Sequence, residues 1–468
     1  MGVVEILILT AIAAVLGRVR RGRPLALMLV SALVIYWLQP KTAPWDFWLP
    51  TLSLFLTLLG WAITTPPETR RLPENALSLA VLLGTLGAIL LSARFFPEET
   101  PFTSPVSLRR FLPILSGFLV LLIGISLPNR SPRLLPPGLI LLLLAIFLVL
   151  KSPSLTERSM ALIGALLTSN PDGTPAPLPW LGFSYLAFRL LHTLRDRQAG
   201  LLPPVTLAEY VNYAIFFPSF TAGPIDRLER FVKELRSPLP FQPDDWLSVL
   251  QRLTTGLFKK FVIADLLALI SINDRFVFQA LAPGWLWLSL ASYALRLYFD
   301  FSGYTDIAIG LGRLLGIRLP ENFNAPFLKP NLTQFWNAWH ITLTQWFRAY
   351  VFNPLTRSLR AQRALPDALI LLIGQVATMV LIGLWHGLTW NFALWGVWHG
   401  LGLFVQNRWS EFARVHFSSP DIHPWVQQGL RIGGTLLTFI YFSLSMAFFA
   451  LSTPELAFTV FLRLLGLA

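Results

Sequence analysis

Long apolar runs recur along most of this chain, and they constrain its fold more than any other feature. Early examples span residues 24–39, 47–64, 76–95, 111–127 and 135–151. A helix needs about 18–20 apolar residues to cross the hydrocarbon core of a bilayer. Hydrophobic residues make up 54% of the 468 residues and charged residues only 13%, whereas soluble proteins carry about 25% charge. The sequence therefore predicts an all-α polytopic membrane protein with about 11 to 13 transmembrane helices.

The breaks between the apolar runs carry prolines and arginines. Proline pushes the preceding residue out of the α region, so these breaks predict helix ends. Arginine-bearing breaks at 18–23, 70–71 and 130–133 alternate with less basic ones, which predicts that the basic set faces the cytoplasm. The first run, 2–17, has its arginines after it and none before it. A cleaved signal peptide has the opposite polarity, so we expect a retained first helix in a multi-pass protein of the cell inner (plasma) membrane.

Charge and cysteine content exclude several functions. The formal net charge is +13, from 37 Lys and Arg against 24 Asp and Glu. The arginines cluster in short breaks, as topology signals and contacts with anionic lipids do, so no nucleic-acid partner is expected. The chain has no cysteine, which excludes disulfides, thiolate metal sites and cysteine nucleophiles. No metal site is predicted.

Polar residues enter the second third of the chain in two places. Asp300 and Asp306 lie six residues apart in an apolar stretch. Six helical residues turn the chain by about 240°, so we expect each carboxylate to pair with a basic residue such as Arg296 or Arg313 instead of sharing one site. His192 lies four residues before Asp196, which predicts a bond to that carboxylate or, alternatively, a place in a cavity wall.

Residues 225–235 alternate apolar and charged side chains with helical spacing. The apolar positions are Ile225, Leu228, Phe231, Val232 and Leu235, and the charged ones begin with Asp226. This pattern is typical of a helix that lies in the membrane interface. The Gly223–Pro224 step before it predicts a turn.

Three of the six histidines, His340, His386 and His399, each directly follow a tryptophan in very apolar sequence. An ionisable side chain at membrane depth is costly and marks a functional site by default. We expect a helix through residues 335–347, with Asn331 or Thr333 as its N-cap. His386 and His399 are thirteen positions apart, a rise of about 19.5 Å. Only one of them is then expected at a reaction centre, whether or not Gly387 and Thr389 break the helix.

A buried histidine in this region has two possible roles. Desolvation disfavours the imidazolium, and the neutral ring can accept a proton from a hydroxyl as a general base. Alternatively, the ring donates one hydrogen bond to a carbonyl on another helix. Three Trp-His pairs in one region favour the catalytic role.

Residues 181–404 carry a series of sequence motifs. They are FFPSFTAGPIDRLERF, YFDFSGYTDIAIGLGRLLGIRLPENFNAPF, FWNAWHITLTQWFRAYVF and GLWHGLTWNF. Their order and spacing resemble the membrane-bound O-acyltransferases (MBOAT), in particular the bacterial branch of alginate O-acetylation and teichoic acid D-alanylation. The resemblance implies short re-entrant and interfacial helices around a central tunnel. It also implies that His386 is the essential catalytic residue and His340 the second, and that Trp339, Trp385, Asn391, Asn337 and His399 support the tunnel.

The chain departs from that pattern at two positions. The family usually has Arg where this chain has Ala338, and Asp where it has Ala349. Both positions are expected to pair charges at the cytoplasmic mouth, so the surface that docks the donor is expected to differ. Neither change touches His386.

The resemblance implies an O-acyltransferase with no bound cofactor. Its donor would be an acyl thioester, acetyl-CoA or an acyl carrier, and its acceptor an extracytoplasmic polysaccharide or a partner transferase. Transfer of D-alanine from a carrier protein is the alternative, and a transporter with a histidine proton relay is the alternative from another class. The expected organisation is one membrane domain, with peripheral helices in 1–155, a catalytic core in 156–410 and C-terminal helices in 411–468.

Overall fold

The computed structural model describes residues 1–42, 45–104, 116–117, 135–159, 179–279, 282–416 and 423–467. Throughout these ranges the regular elements are helices and no strand occurs, which confirms the all-α class. The predicted run at 111–127 lies outside the described residues except for 116–117. The chain forms two compact units, Met1–Leu253 with Ile307–Pro320 and Thr254–Asp306 with Glu321–Ala468. The predicted segments 1–155, 156–410 and 411–468 stay a prediction.

Helices of the first unit begin and end close to the predicted apolar runs. They are α1 (Val3–Leu16), α2 (Arg23–Trp37), α3 (Trp45–Thr64), α4 (Pro67–Arg70), α5 (Pro73–Phe95), α6 (Leu135–Lys151), α7 (Pro153–Ser159), α8 (Phe183–Gln198), α9 (Leu207–Ile215), α10 (Leu228–Arg236) and most of α11 (Pro243–Phe258). Proline occupies the first turn of α2, α4 and α5, where its missing N–H leaves no hydrogen bond unmade. Thr206 caps α9 in a capping box with Glu209.

A fully buried arginine organises the middle of the first unit. Arg189 on α8 is 1% exposed, and its guanidinium donates to the carbonyl oxygens of Tyr213 at 3.1 Å and Ala214 at 2.9 Å. It also donates to the carbonyl and hydroxyl oxygens of Ser219 at 3.0 and 2.6 Å. A helix leaves its last carbonyls without partners, so Arg189 satisfies the end of α9. These hydrogen bonds also fix the backbone of the segment that follows α9.

The amphipathic pattern at 225–235 is confirmed for the apolar positions. In α10 the buried residues are Leu228, Phe231, Val232 and Leu235. Asp226 does not lie on a polar helix face as predicted: it precedes the helix, is 5% exposed and accepts a hydrogen bond from Arg230 Nε at 2.7 Å. A buried carboxylate needs such a partner, and the arginine one turn later supplies it.

Helices of the second unit are more often interrupted. They are the end of α11, α12 (Ala264–Ala268), α13 (Asp274–Gln279), most of α14 (Pro283–Leu314), α15 (Leu332–Ala338), α16 (Ile341–Phe347), α17 (Asn353–Gln362), α18 (Asp367–His386), α19 (Trp390–His416), α20 (Pro424–Ala450) and α21 (Pro454–Leu464). One π-helical turn, Lys259–Ile263, joins α11 to α12, and a second, Arg348–Phe352, joins α16 to α17. Such turns are rare and are found frequently at functional sites.

The two aspartates of α14 pair with neighbouring lysines, and the predicted partners were wrong. Lys259 Nζ lies 2.7 Å from Asp306, and Lys260 Nζ lies 2.5 Å from Asp300. A Cβ added to Gly303, between the two aspartates, would lie 2.7 Å from the carbonyl oxygen of Gly256. That close backbone approach brings the π-helical turn of both lysines within reach of α14. Each carboxylate has its own lysine, and the prediction that the two would not share one partner is confirmed.

Helices α18 and α19 form an antiparallel hairpin with glycines at their contact. Gly383 faces the carbonyl of Phe392. A Cβ added to Gly396 would lie 2.6 Å from the carbonyl oxygen of Met379, and one added to Gly400 would lie 2.6 Å from the Cα of Val376. Small residues let transmembrane helices approach closely, so these glycines set the distance between the two helices.

Four described helices, α3, α5, α18 and α20, are long and apolar enough to cross a membrane. There are five if α6 and α7, bent by 104°, form one span. The protein is a multi-pass membrane protein. The expected count of about 11 to 13 spans stays a prediction, since α1 and α2 are shorter apolar helices and 111–127 is not described.

Candidate functional site

The helix expected through 335–347 is broken at His340. Helix α15 ends at Ala338, α16 begins at Ile341, and His340 between them has a φ of 42°. That left-handed conformation is costly for a residue with a side chain, and such residues cluster at functional sites. The prediction of a continuous helix was wrong. The helix propensities of the residues around His340 give no sign of the break. The predicted N-cap Asn331 is confirmed, since its Oδ1 accepts the N–H of Gln334 at 2.9 Å.

His340 lies in an aromatic pocket with no hydrogen bond to its ring. The residue is 4% exposed. Its imidazole packs edge-on against Phe301, with 4.6 Å between ring centroids, and lies 6.1 Å from Trp385. Neither ring nitrogen has a hydrogen-bond partner among the described residues. Burial without a partner favours the neutral ring, and leaving its polar atoms unpaired costs free energy.

His386 is the last residue of α18, at the tip of the α18–α19 hairpin. Gly387 is extended, with a φ of −176°, and α19 begins at Trp390. The helix is therefore broken at residues 387–389, a point that the sequence left open. The imidazole packs edge-on against Phe449 at 4.8 Å between centroids and stacks on Phe392 at 5.8 Å. It is half-buried, whereas His340 and His399 are buried, so it is the most accessible of the three.

His399 is held by a hydrogen bond of its Nε2 inside the same unit, while its Nδ1 is buried without a partner among the described residues. It is 0% exposed, and its Nε2 lies 2.9 Å from the hydroxyl oxygen of Ser445. That hydroxyl donates its hydrogen to the carbonyl of Phe442 at 2.6 Å, so the imidazole must be the donor to Ser445. A ring that donates to a neighbouring helix supports a structural role more than a catalytic one.

Tryptophan rings connect the three histidines. Trp385 lies 6.1 Å from His340 and 4.4 Å from His386 between ring centroids. Trp395 lies 6.0 Å from His386 and 4.6 Å from His399. All five residues belong to the second unit, so the histidines of the three Trp-His pairs converge in one aromatic cluster.

The remaining predicted site residues surround this cluster in different ways. Trp339 is buried and stacks on Phe335 at 5.6 Å. Asn391 is buried, and its Nδ2 donates to the carbonyl of Leu451 at 2.6 Å. Asn337 is exposed, and its Oδ1 accepts from Arg348 at 2.6 Å. The structure therefore brings Trp339 and Asn391 into the interior and leaves Asn337 at the surface.

Beside the cluster lies a cavity of about 270 Å³. Its wall contains Trp336, whose ring centroid lies 5.1 Å from that of His399. Arg348 and Asn407 also line it, and the lining residues include no Asp or Glu. The Nε1 of Trp336 and the Oε1 of Gln375 are buried in this lining without hydrogen-bond partners. Sequence reasoning missed Gln375, although a lone glutamine in so apolar a run was a usable signal.

In the first unit, His192 forms the predicted contact with a carboxylate. Its Nε2 lies 3.8 Å from Asp196 Oδ2, and its Nδ1 lies 3.0 Å from the hydroxyl of Tyr213. Glu229 completes a trio whose ligand atoms lie within 4.8 Å of one another. The N–H of Leu228 also approaches Nε2 at 3.5 Å. These protein contacts account for the ring without a metal ion.

Residues 137–449 match the family model described as MBOAT, membrane-bound O-acyltransferase family. The match covers the cluster, the cavity and both hairpin helices that hold His386. It extends beyond the stretch 181–404 on which the sequence motifs lie.

Three similar proteins illustrate the functions found among relatives. A teichoic acid D-alanyltransferase of Streptococcus thermophilus is 33% identical over 51% of this chain and 59% of its own length. A peptidoglycan O-acetyltransferase of Helicobacter pylori is 33% identical over 57% of this chain and 49% of its own. A probable alginate O-acetylase AlgI of Azotobacter vinelandii is 36% identical over 46% of this chain and 42% of its own. The chain thus spans about half the length of these relatives.

Proposed function

The chain belongs to the membrane-bound O-acyltransferase family, and on that premise we propose that it transfers a neutral acyl group, acetyl, from a thioester to a hydroxyl. The acceptor is a polysaccharide outside the cytoplasm or a partner transferase that passes the group on. The names of the relatives include acetyl transfer to peptidoglycan and alginate. The observation that carries the proposal is the position of His386, half-buried at the hairpin tip and linked to His340 through Trp385.

His386 is assigned as the general base. The acceptor O–H loses its proton to the neutral imidazole while the oxygen attacks the thioester carbonyl carbon. The new C–O bond forms, the C–S bond breaks, and the thiolate takes the proton back from the imidazolium. Because His386 ends α18, the carbonyl end of the helix dipole stabilises the transient positive charge on its ring. General-base help of this kind is worth about 10²–10⁴ in rate.

His340 is assigned to the donor. Both of its ring nitrogens are buried and without partners among the described residues, so one of them is available to hydrogen-bond the carbonyl oxygen that becomes negative in the transition state. A preorganised donor aimed at a developing oxyanion in a water-poor site is among the strongest catalytic effects. Trp385, between the two imidazoles, keeps them at a fixed separation.

The cavity supports a neutral acyl group over D-alanine. D-alanyl esters carry an ammonium group, and burying an unpaired cation is expensive. Among the described residues, the lining of the 270 Å³ cavity includes one cation, Arg348, and no carboxylate. D-alanyl transfer remains the second candidate, because two of the relatives are named teichoic acid D-alanyltransferases.

The test uses His386→Gln, which keeps a polar side chain of similar size but removes the base. Cells expressing the protein are assayed for base-labile acetate and base-labile D-alanine in the cell envelope, with membrane insertion checked. We expect ester-linked acetate to fall to the level of cells without the protein. The matched control is His416→Gln, an exposed histidine at the end of α19, which is expected to leave the acetate unchanged. Full acetate with His386→Gln contradicts the assignment, and loss of D-alanine instead of acetate favours the second candidate.

The localisation in the inner membrane is part of the same proposal. Tagged protein is expected in the inner-membrane fraction, and the loop at 18–23 is expected to be protected from proteases added outside. A partner transferase is tested by purification from mild detergent. A co-purifying hydrolase-like protein supports transfer through a partner, whereas acylation of added polysaccharide by the isolated chain supports direct transfer.

A further inference from the structure

The backbone on both sides of His340 is held by one short segment that precedes α15 in the chain. The N–H of Asn324 donates to the carbonyl of Ala338, two residues before His340, at 3.0 Å. The N–H of Ile341, directly after His340, donates to the carbonyl of Asn322 at 2.9 Å. The left-handed turn at His340 is therefore bracketed by backbone hydrogen bonds to residues 322–324.

The side chain of Asn322 adds two more bonds to the same turn. Asn322 is 0% exposed. Its Oδ1 accepts the hydroxyl of Thr342 at 2.6 Å and the N–H of Thr342 at 3.2 Å. Together with the bond from Ile341, three hydrogen bonds run from the two residues after His340 to this one asparagine. A buried side chain with this arrangement restrains the backbone that it contacts.

The geometry explains how His340 keeps its ring out of the local hydrogen bonding. His340 is the N-cap residue of α16. The side chain at such a position normally accepts an N–H from the first helical turn, and the preferred residues are Asn, Asp, Ser and Thr. The imidazole makes no such bond. The second residue of the helix, Thr342, is instead capped by Asn322 from a distant part of the sequence.

We propose that Asn322 is the positioning residue for His340, an assignment that rests on the role proposed above for His340. By capping α16 in place of the histidine, Asn322 satisfies the first turn and leaves the imidazole directed at Phe301 and Trp385. It also holds the left-handed backbone that this direction requires. The working atom is Oδ1; the Nδ2 of Asn322, which has no partner within the described ranges, is not needed for this role.

The experiment compares three variants by the rate at which radiolabelled acetate, given to cells, enters base-labile esters of the envelope. Asn322→Ala removes the acceptor and is expected to lower the rate about 100-fold, as a displaced catalytic group does. Asn322→Asp keeps the acceptor oxygen for Thr342; because a buried carboxyl group without a counter-ion takes up a proton, the side chain is expected to be neutral and the variant to retain most of the rate. Asn324→Ala is the matched control, because Asn324 is exposed and contributes only its backbone N–H; it is expected to match the wild type.

The variants are purified in detergent and their unfolding midpoints are measured, so that loss of rate is separated from loss of fold. A folded Asn322→Ala with the wild-type rate overturns the assignment, and so does an Asn322→Asp as slow as the alanine variant. If Asn322→Ala does not fold, the rate of Asn322→Asp relative to the wild type decides the assignment. His340→Asn is run beside them: if it keeps the wild-type rate, the proposed role of His340 is what fails. If His340→Asn is inactive and Asn322→Ala is active, only the positioning role fails.

Discussion

His192 and His340 are both buried histidines, at 1% and 4% exposure, yet their surroundings differ in kind. His192, in the first unit, has the hydroxyl of Tyr213 at one ring nitrogen and Asp196 and the N–H of Leu228 near the other. His340, in the second unit, has no hydrogen-bond partner at either ring nitrogen in the part of the chain that the structure describes, and its backbone is left-handed. The ring of His192 is hydrogen-bonded to neighbouring residues, whereas His340 is held by hydrogen bonds to the backbone beside it.

The difference separates a structural histidine from a candidate catalytic one without reference to sequence motifs. Buried polar groups in folded proteins are nearly always hydrogen-bonded, and exceptions need an explanation. Strain and unmet hydrogen bonds together indicate that something outside the folded chain is meant to complete the site. The substitutions that follow test this contrast, beginning with the one expected to have the largest effect.

His340→Asn is expected to abolish activity with little effect on stability. Asparagine tolerates the left-handed region, and no hydrogen bond of the ring is lost, because none exists among the described residues. We expect the rate of ester formation to fall about 10²–10³-fold, the cost of losing one oxyanion donor, while the free energy of unfolding changes by no more than about 1–2 kcal/mol. Ester formation in cells and the unfolding midpoint of purified protein check the two parts. A variant that is active but unstable would make His340 a structural residue.

His192→Leu is expected to lower the stability of the fold with little effect on activity. The substitution leaves the N–H of Leu228 and the hydroxyl of Tyr213 without the imidazole that contacts them. Losing partners of buried polar groups costs about 1–3 kcal/mol each, so the unfolding midpoint should fall. The rate of ester formation per folded molecule should stay at the wild-type value. His192→Gln, which keeps a donor and an acceptor, is the control. Its unfolding midpoint should lie between those of the wild type and His192→Leu. Loss of rate at an unchanged midpoint would place His192 in the site.

Much of the fold was predictable because it depends on local composition. The ends of α3, α5, α6 and α14 follow from apolar length and from prolines in the breaks. The buried face of α10 follows from helical periodicity. The lysine partners of Asp300 and Asp306 were not predictable, since they depend on a close backbone approach at Gly303 and on a π-helical turn. Neither leaves a signal in a single sequence.

The candidate site was predictable in its residues but not in its geometry. The Trp-His pairs marked His340, His386 and His399, because ionisable groups in apolar sequence are conspicuous. Periodicity then placed His340 inside a continuous helix, which was wrong: the turn there is imposed by Asn322, some twenty residues earlier in the chain. Long-range hydrogen bonds of this kind override local propensity, so sequence reasoning also missed Asn322.

In contrast to these buried histidines, the ion pair between Asp245 and Arg313 in the first unit is only partly buried. Arg313 Nε donates to Asp245 Oδ1 at 2.9 Å, and Nη2 lies 2.5 Å from Oδ2. The Arg313 guanidinium, with the N–H of Gln242, lowers the pKa of the Asp245 carboxyl. A group whose pKa is lower when folded stabilises the fold above its unfolded pKa of about 3.9, and that stability is lost as the pH falls through the folded pKa.

Asp245→Asn should therefore lower the unfolding midpoint slightly at pH 7, and the difference from wild type should shrink as the pH falls below about 3.9 and vanish only below the lower pKa of the folded state. High salt should shrink it at neutral pH, because exposed pairs are screened. Thermal unfolding in detergent from pH 7 to pH 3, at low and high salt, checks this, with Asp244→Asn as the exposed neighbouring control. The rate of ester formation should not change. A difference that stays the same from pH 7 to pH 3 would show that the side chain acts through packing and not through its charge.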